Sequence, residues 1–337
     1  MQVRKLFPEE HGTTRFLYEE AFPEDSVAFV DYYYTEVTAE NQIYVAEEDG
    51  GIRAMLHLNP YRLSLNGEPN KLDYIVAVAT QKEYRKRGYM AALLKQALGD
   101  MYREGKPFTY LMPAKESIYL PYDFRTVCEQ IIPWYTGKPE IDPEEELQPE
   151  QCETLARSAE RYLAEHYQLY TMRDKKYYER IKQAYACDGG KIFVKVSDGR
   201  IIDCQYYYPP EKTSEEENTE KCNPKIMVRI VDVKRMLMSM KLKTLMAACF
   251  TVTDPLIEGN NCCITVTGTE FSGTLLMDGL PRNSEGTITV AALTELLFGV
   301  KTVEELCEEE GVQMTERLKG ELKKIVSLKR IYLNEMV

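Results

Sequence analysis

The chain has 337 residues, of which 44% are hydrophobic and 28% charged, so it holds enough apolar material for more than one core. Its 42 basic and 54 acidic side chains give a net charge of -12, which argues against broad binding to nucleic acid or an anionic membrane. No apolar run approaches the roughly 18 residues of a membrane span, and the amino terminus lacks an apolar signal core, so we expect a cytoplasmic protein.

The first segment of the chain is predicted to be mixed α/β. The turn Glu48-Asp49-Gly50-Gly51 between two alternating runs indicates a β-hairpin. The nearly unbroken apolar run at 73–80 predicts a strand buried on both faces, and apolar residues at helical spacing follow it. In chain order, the predicted elements are helices at 14–21 and 26–37, strands at 42–47, 52–59, 62–65 and 73–80, a helix at 88–103 and a strand at 108–112.

Two polar stretches, 137–151 and 209–224, are predicted either as domain linkers or as long surface loops. If they are linkers, the domains are 1–136, 137–224 and 225–337. Beyond the first stretch, the predicted helices lie at about 152 onward, 232–240, 291–298, 303–310 and 320–329, and the strands at 191–196, 200–208, 263–268, 274–277 and 287–290.

Cysteine and histidine show no metal-binding or disulfide pattern. The nine cysteines are scattered and form no CxxC pair, and His11, His57 and His166 are scattered as well. We therefore expect no metal. Tyrosine is unusually frequent, with 24 residues against one tryptophan, and its hydroxyl can contact substrate or transfer a proton as well as fill a core.

The strongest local signal is a basic turn between the buried strand at 73–80 and the helix that follows. Arg85, Lys86 and Arg87 stand at a helix N-terminus, whose free N–H groups are already positive. A bound phosphate would resolve that conflict, and Gly88 would let the main chain approach it closely. The alternative is a solvated basic turn, but the glycine and the preceding buried strand favour an anion site.

The turn has neither the GxxxxGK(S/T) pattern of a Walker loop nor the GxGxxG pattern of a dinucleotide site. It resembles the acetyl-CoA pyrophosphate loop of the GNAT acetyltransferases, Arg/Gln-x-x-Gly-x-Gly/Ala. Met90 stands where that family usually has a small residue. The pattern falls on Arg85, Lys86, Arg87, Gly88, Tyr89 and Met90.

A second segment narrows the resemblance. The run Ser117-Ile118-Tyr119-Leu120-Pro121-Tyr122-Asp123-Phe124 is similar to the IY-x-x-F-G-F segment of the Eis (enhanced intracellular survival) branch, with Asp123 in place of a glycine. The resemblance implies that Tyr119 is the general acid that protonates the departing CoA thiolate. A phenol suits this role because its pKa near 10 exceeds that of a thiol. Without the resemblance, a tyrosine in an apolar stretch is more often a core residue.

The last part of the chain resembles the same branch. Residues 270–299, with Asp254-Pro255 and Asn260 before them, are similar to the sterol-carrier-like domain that closes Eis-type chains. The implied fold class is α/β (α+β): a GNAT domain, a degenerate GNAT-like domain and a sterol-carrier-like domain. In this family the terminal carboxylate enters the active site as the base, a role that falls on Val337. The tail is apolar enough for burial, although chain termini commonly fray.

The resemblance also implies the ligands. Acetyl-CoA is expected as co-substrate, with main-chain groups of Val78 and Thr80 contacting its pantetheine arm. For the acceptor, Glu24 and Asp25 beside Tyr33 are candidates because carboxylates attract a cationic amine, although a helix cap next to a core face explains them equally well. The residues expected to hold the pyrophosphate are Arg85, Lys86, Arg87, Gly88 and Tyr89.

The sequence therefore predicts an acetyltransferase that acts on a primary amine. The resemblance suggests aminoglycoside-like, polyamine or lysine acceptors and a homo-oligomer, commonly a hexamer. Neither nucleic acid nor a membrane is expected as a partner. The alternative is a non-enzymatic protein that binds a lipid or another hydrophobic ligand through its last domain, or one that senses CoA.

Overall fold

The computed structural model describes residues 1–130, 145–207 and 223–335. Within these ranges no helix has the length and apolar character needed to cross a membrane. The helices are α1 Arg15–Ala21, α2 Val27–Tyr32, α3 Tyr89–Arg103, α4 Glu116–Tyr119, α5 Cys152–His166, α6 Lys175–Cys187, α7 Val233–Met238, α8 Val290–Leu297, α9 Val303–Leu306 and α10 Glu316–Leu322. The strands are β1 Gln2–Lys5, β2 Gln42–Glu48, β3 Gly51–Leu65, β4 Glu68–Thr80, β5 Phe108–Leu111, β6 Arg125–Glu129, β7 Glu145–Glu146, β8 Leu169–Thr171, β9 Lys191–Ser197, β10 Arg200–Tyr207, β11 Lys225–Ile230, β12 Lys241–Leu242, β13 Met246–Thr253, β14 Cys262–Thr269, β15 Gly273–Asp278, β16 Gly286–Thr289, β17 Gln313–Met314, β18 Ile325–Val326 and β19 Ile331–Tyr332.

A nine-stranded mixed sheet forms the centre of the molecule. Its main order is β1-β2-β3-β4-β5-β11-β6, and β8 joins the far end of β3 to β19. Helix α3 covers one face through the apolar stripe that includes Leu94, Ala97, Leu98 and Met101. Helices α1 and α2 cover the other face. The mixed α/β class predicted from the sequence is confirmed.

Strand β3 is longer than the sequence pattern suggested. The predicted strands 52–59 and 62–65 are one continuous strand, although Pro60 interrupts the apolar pattern. Its pairing with β2 ends at Leu58, and its pairing with β8 begins at Leu63. Pro60 therefore lies where one side of the strand has no neighbour, and a proline is tolerated there because it lacks only a donor.

Strand β11 comes from the third predicted domain but lies in the sheet of the first. It is antiparallel to both β5 and β6. The fold therefore does not divide at the predicted boundary between residues 224 and 225, and residues 136 and 137 lie outside the described ranges. The buried Arg229 of β11 donates from Nη2 to Asp254 Oδ1 at 2.6 Å, which ties β11 to the segment that follows β13.

Three smaller sheets are present in the described ranges, and the smallest is the antiparallel pair β12-β18. A three-stranded sheet, β10-β9-β7, packs with α5 and α6. A five-stranded sheet, β15-β14-β13-β16-β17, packs with α8 and α10. The helix predicted at 320–329 was wrong: α10 begins earlier, because the Thr315 hydroxyl accepts a hydrogen bond from the Leu318 N–H, and the chain then forms β18.

Candidate functional site

The basic turn predicted to bind an anion is open in the structure. Gly88, which precedes the first residue of α3, has a left-handed φ of 86°, and apart from its chain neighbours no atom of the described residues lies within 4 Å of the position a Cβ would take. Arg85, Lys86 and Arg87 are all exposed around it. No side chain caps α3, so the N–H groups of its first turn remain available to a ligand.

Several of the residues predicted to contact acetyl-CoA already interact with neighbouring residues of the protein. Tyr89 is buried and its hydroxyl donates to Glu48, so it can offer an anion only its main-chain N–H. Arg85 Nε donates to the Thr80 carbonyl at 3.1 Å, so that carbonyl already has a partner. Arg87 lies over the ring of Tyr84, with 5.2 Å between the guanidinium carbon and the ring centroid.

Strands β4 and β5 diverge beside this turn. They are parallel neighbours but pair only at Tyr74 and Tyr110. Farther along β4, the register with β3 shifts, and Ala77 takes a left-handed φ of 49°. Such a bulge bends a strand and increases its twist. The divergence leaves Val78 on a strand that lacks its next neighbour. The bulge could not be predicted from the sequence, because no glycine marks it.

Tyr119 lies at the C-terminal end of α4 and is only 9% exposed. Its ring packs edge-on against Phe124 with 5.8 Å between centroids. Burial raises the pKa of Tyr119 to about 12, so the phenol stays protonated at neutral pH. Burial is the main reason that the pKa of Tyr74 is raised, and the negative charge of Glu335 raises it further.

A cavity of about 640 Å³ lies between the central sheet, α6 and the C-terminal tail. Tyr33 forms part of its wall, as the sequence predicted, whereas Glu24 and Asp25 do not. Glu24 is exposed, and Asp25 accepts a hydrogen bond of 2.8 Å from the Tyr18 hydroxyl. The wall of the cavity also includes Tyr61, Arg62, Lys71, Arg173, Tyr177 and Glu335.

A buried network holds Tyr33 in this wall. The Tyr33 hydroxyl lies 3.0 Å from His57 Nδ1, and Asn41 Nδ2 donates to the same hydroxyl at 3.3 Å. Burial lowers the pKa of His57 to about 3, so the imidazole is neutral and can accept from the tyrosine. His57 was not identified from the sequence, because a lone histidine in an apolar strand carries no motif.

The C-terminal tail enters the interior of the protein. Strand β19 runs parallel to β8, and Gln130 Nε2 donates to the Glu335 carbonyl at 3.1 Å. The side chain of Glu335 is 2% exposed and lines the cavity. Burial of the tail agrees with its apolar sequence, but Val337, the predicted base, lies outside the described residues.

Arg173 is the charged neighbour of Glu335. Its guanidinium carbon lies 5.0 Å from the Tyr177 ring centroid and 5.2 Å from that of Tyr332, and Nη2 donates to Asn334. Burial raises the pKa of Glu335, and the positive charge of Arg173 opposes that rise. Glu335 Oε1 makes no hydrogen bond of normal geometry within the described ranges. No motif in the sequence predicts that Arg173 and Glu335 lie near one another.

Other polar clusters in the described ranges do not resemble a metal centre: no three His, Cys, Asp or Glu side chains are grouped to hold an ion. Within the described ranges, the Tyr119 phenol can donate a proton and the Glu335 carboxylate can accept a hydrogen bond. The open turn at Gly88 can bind an anion.

Comparison with solved structures shows that the whole fold recurs elsewhere. A probable N-acyltransferase of unknown function from Enterococcus faecalis is 16% identical, with a TM-score of 0.75 over 98% of this chain and 99% of that one. A GCN5-related N-acetyltransferase from Anabaena variabilis is 14% identical, with a TM-score of 0.72 over 98% and 99%. Eis1 from Mycobacterium abscessus is 13% identical, with a TM-score of 0.70 over 99% of both chains. At these identities the similarity establishes a shared fold.

Sequence comparison identifies the N-terminal part. No curated protein matches the chain in sequence. The family model of the acetyltransferase (GNAT) domain matches residues 2–127, which contain the open turn, the diverging strands and Tyr119. Residues 2–127 are therefore a GNAT acetyltransferase domain, and this domain places the protein among the acyltransferases.

Proposed function

We propose that the protein is an N-acetyltransferase that moves the acetyl group of acetyl-CoA to a primary amine bound in the 640 Å³ cavity. The observation that carries this proposal is the position of the tail. Glu335 is buried in the cavity wall, two positions before the chain's last residue. The proposal places Tyr119, which the Eis resemblance makes the general acid, on the side of this cavity where the acetyl group would enter.

The residues present fit acetyl-CoA. The turn at Gly88 combines three exposed cations, a free helix N-terminus and open space, which suit a pyrophosphate. Val78 lies where β4 has separated from β5, which suits a pantetheine arm that needs main-chain partners. Thr80 fits less well, because its carbonyl already accepts from Arg85. When bound, acetyl-CoA supplies the acetyl group as an activated thioester.

Two groups of the chain then move protons. The terminal carboxylate of Val337 takes a proton from the acceptor ammonium, which frees the nitrogen lone pair for attack. Tyr119 donates a proton to the leaving sulfur, and the nitrogen gives up its second proton, which returns the Tyr119 phenolate to a phenol, so that the products are an amide and CoA as a thiol. A phenol whose pKa is about 12 is protonated in nearly every molecule at neutral pH, so the donor form is present, although the raised pKa also makes it a weaker acid.

The proposal extends to the rest of the chain by resemblance to the Eis branch. Residues 225–337 would then include a sterol-carrier-like domain, which agrees with the five-stranded sheet and its packed helices. Aminoglycoside-like compounds, polyamines and lysine side chains are the acceptors to test. We also propose a homo-oligomer, a hexamer by resemblance, and a cytoplasmic location.

The test is acceptor-dependent release of CoA from acetyl-CoA, measured with a thiol reagent on protein whose C-terminus is untagged. A panel of aminoglycosides, polyamines, amino acids and lysine peptides serves as acceptors, and mass spectrometry identifies the amide. Release with any acceptor supports the transferase. Binding of acetyl-CoA without release by any acceptor would instead favour a CoA sensor, and absence of both would favour the alternative of hydrophobic-ligand binding.

A further inference from the structure

The cavity is more positive than the protein around it. Among the described residues of its wall, five side chains are cationic and four are carboxylates; with the carboxylate proposed for Val337 the two signs are equal in number, in a chain whose net charge is -12. A site that selects a polycation is expected to show an excess of carboxylates. The cations are Arg62, Lys71, Arg173, Lys176 and Arg180, and the carboxylates are Glu40, Glu160, Asp174 and Glu335.

Three of the four carboxylates are already engaged. Glu40 lies between Lys176 and Arg180, with 2.8 Å to the Arg180 Nη2. Glu160 accepts from the Tyr170 hydroxyl at 2.8 Å. Asp174 caps α6 by accepting from the Tyr177 N–H at 2.8 Å. Glu40 is therefore neutralised by its two cations, whereas Glu160 and Asp174 are held in fixed orientations by their hydrogen bonds and keep their charge.

Two of the cations have no such partner. Arg62 of β3 and Lys71 of β4 are opposite one another in the register of the two strands. Both are exposed, and neither forms an ion pair with a carboxylate in the described parts of the chain. Like charges in directly opposed positions destabilise a strand pair. An anion bound between them would remove the repulsion.

The fourth carboxylate, that of Glu335, can accept a hydrogen bond from a ligand in the same cavity. Glu335 is 2% exposed, and the hydroxyls of Thr171 and Tyr177 lie near enough to lower the pKa of its carboxyl, while its Oε1 makes no hydrogen bond of normal geometry within the described ranges. A buried polar atom without a partner is costly unless a ligand or water supplies one. An amine N–H would satisfy it, while Tyr61 and Tyr177 offer ring surface to the carbon chain between the amine and the anion.

We propose that the acceptor is a primary amine that also carries a carboxylate, with the carboxylate bound by Arg62 and Lys71 and the amine directed toward Glu335. This inference rests on the proposed function, because it concerns the acceptor of that reaction. It selects amino acids and related ω-amino acids from the wider set of amines. Aminoglycosides and polyamines are disfavoured, since their extra ammonium groups would meet the two rim cations.

A matched pair of acceptors tests the proposal: Nα-acetyl-lysine and its C-terminal amide differ only in the carboxylate. We expect the acid to bind about tenfold more tightly than the amide, as charge-assisted hydrogen bonds contribute about 1.5–3 kcal/mol. Calorimetry in the presence of CoA measures binding without turnover, and CoA release gives kcat/KM. The preference should disappear in the double variant Arg62→Gln/Lys71→Gln and persist in Arg282→Gln, which removes an exposed cation outside the cavity.

The outcomes separate this inference from the proposed function. Equal binding of acid and amide, no binding of either, or a preference that survives the double variant overturns the inference. Preferred binding of the acid, with no CoA release by the acid or by any acceptor of the panel, keeps the binding site for an amine that carries a carboxylate and refutes the transferase. Faster turnover of a polyamine than of the acid keeps the transferase and refutes the inference.

Discussion

Gln130 and Glu335 lie 205 positions apart in the chain, yet the Gln130 Nε2 donates a hydrogen bond of 3.1 Å to the Glu335 carbonyl. Both residues are buried. Gln130 directly follows β6 of the central sheet, and Glu335 is the part of the tail that lines the cavity. This bond therefore couples the position of the tail to the acetyltransferase sheet.

Replacing Gln130 tests that coupling. In Gln130→Ala the buried carbonyl of Glu335 loses its donor, which costs about 1–3 kcal/mol and favours release of the tail. We expect kcat/KM for the acceptor to fall about tenfold, while KM for acetyl-CoA stays the same. Gln313→Ala removes an exposed glutamine in the last sheet and serves as the control. Hydrogen exchange at residues 331–335 should accelerate only in Gln130→Ala, and unchanged exchange there would refute the tether.

Gly88 tests the anion site by charge. With a φ of 86° and open space around its Cβ position, Gly88 can be replaced by Asn or Asp at a similar backbone cost of about 1–2 kcal/mol. Gly88→Asp should weaken CoA binding at least about tenfold relative to Gly88→Asn, because a carboxylate near a pyrophosphate repels it. Calorimetry with CoA measures both constants. Equal CoA affinities in the two variants would show that the pyrophosphate does not bind at this turn.

Tyr119 tests the general acid. Tyr119→Phe deletes the hydroxyl from a residue that is 9% exposed, so the fold should be kept. We expect kcat to fall about 10²-fold, within the range of general acid catalysis, with little change in acetyl-CoA affinity. Because burial raises the Tyr119 pKa to about 12, wild-type kcat should show no loss from this group between neutral pH and about pH 10. Tyr122→Phe, three residues away, is the control; equal rates in both variants contradict the role.

The free carboxylate of the tail can be tested by extension. Glu335 is already buried in the cavity, so residues added after Val337 must displace the tail or fill the space beside it. A short C-terminal extension should lower kcat by about 10²-fold, since small displacements at a reacting centre have effects of that size. The same residues added before the exposed Met1 should leave kcat unchanged. Full activity of the C-terminal extension would exclude the terminal carboxylate as the base.

The buried His57 is expected to account for part of the loss in the free energy of unfolding as the pH falls. Burial lowers its folded-state pKa to about 3, whereas an unfolded histidine titrates near 6.5. Between these values the unfolded state binds a proton that the folded state does not. His57 therefore reduces stability as pH falls below about 6.5, by up to about 1.4 kcal/mol per pH unit.

Removing His57 should remove that part of the slope. Urea unfolding at about pH 7, 6 and 5 should show a shallower loss of stability in His57→Gln than in the wild type. The absolute stability of the variant will also fall, because Tyr33 loses its partner, but the comparison uses only the slope. Identical slopes in wild type and His57→Gln would contradict the neutral, buried histidine.

Local patterns predicted the elements that short windows of sequence can specify. The stripe of Leu94, Ala97 and Leu98 predicted α3, and the turn after Glu48 predicted the hairpin of β2 and β3. Both depend on contacts between neighbours in the chain. Pro60 misled the pattern because whether a proline interrupts a strand depends on which neighbouring strands lie beside it.

The residues of the candidate site likewise fall into those that a short motif predicts and those that only the structure brings together. The basic turn at Gly88 and the phenol of Tyr119 could be found from sequence, since each belongs to a short motif with its own chemistry. The acceptor side could not: Glu24 and Asp25 were chosen as nearby acids, yet neither lines the cavity. The wall is assembled from β3, α6 and the tail, whose residues are far apart in the chain.

The sequence by itself determined the α/β class, the anion-binding turn and the resemblance to acetyltransferases, because periodicity, capping and charge act over a few residues. Only the tertiary structure decided that β11 joins the central sheet, that Glu335 and Arg173 line the same cavity, and that Arg62 opposes Lys71 in its wall. Such pairings arise from the burial of apolar surface shared by distant segments. That burial leaves no local trace in the sequence at the residues it brings together.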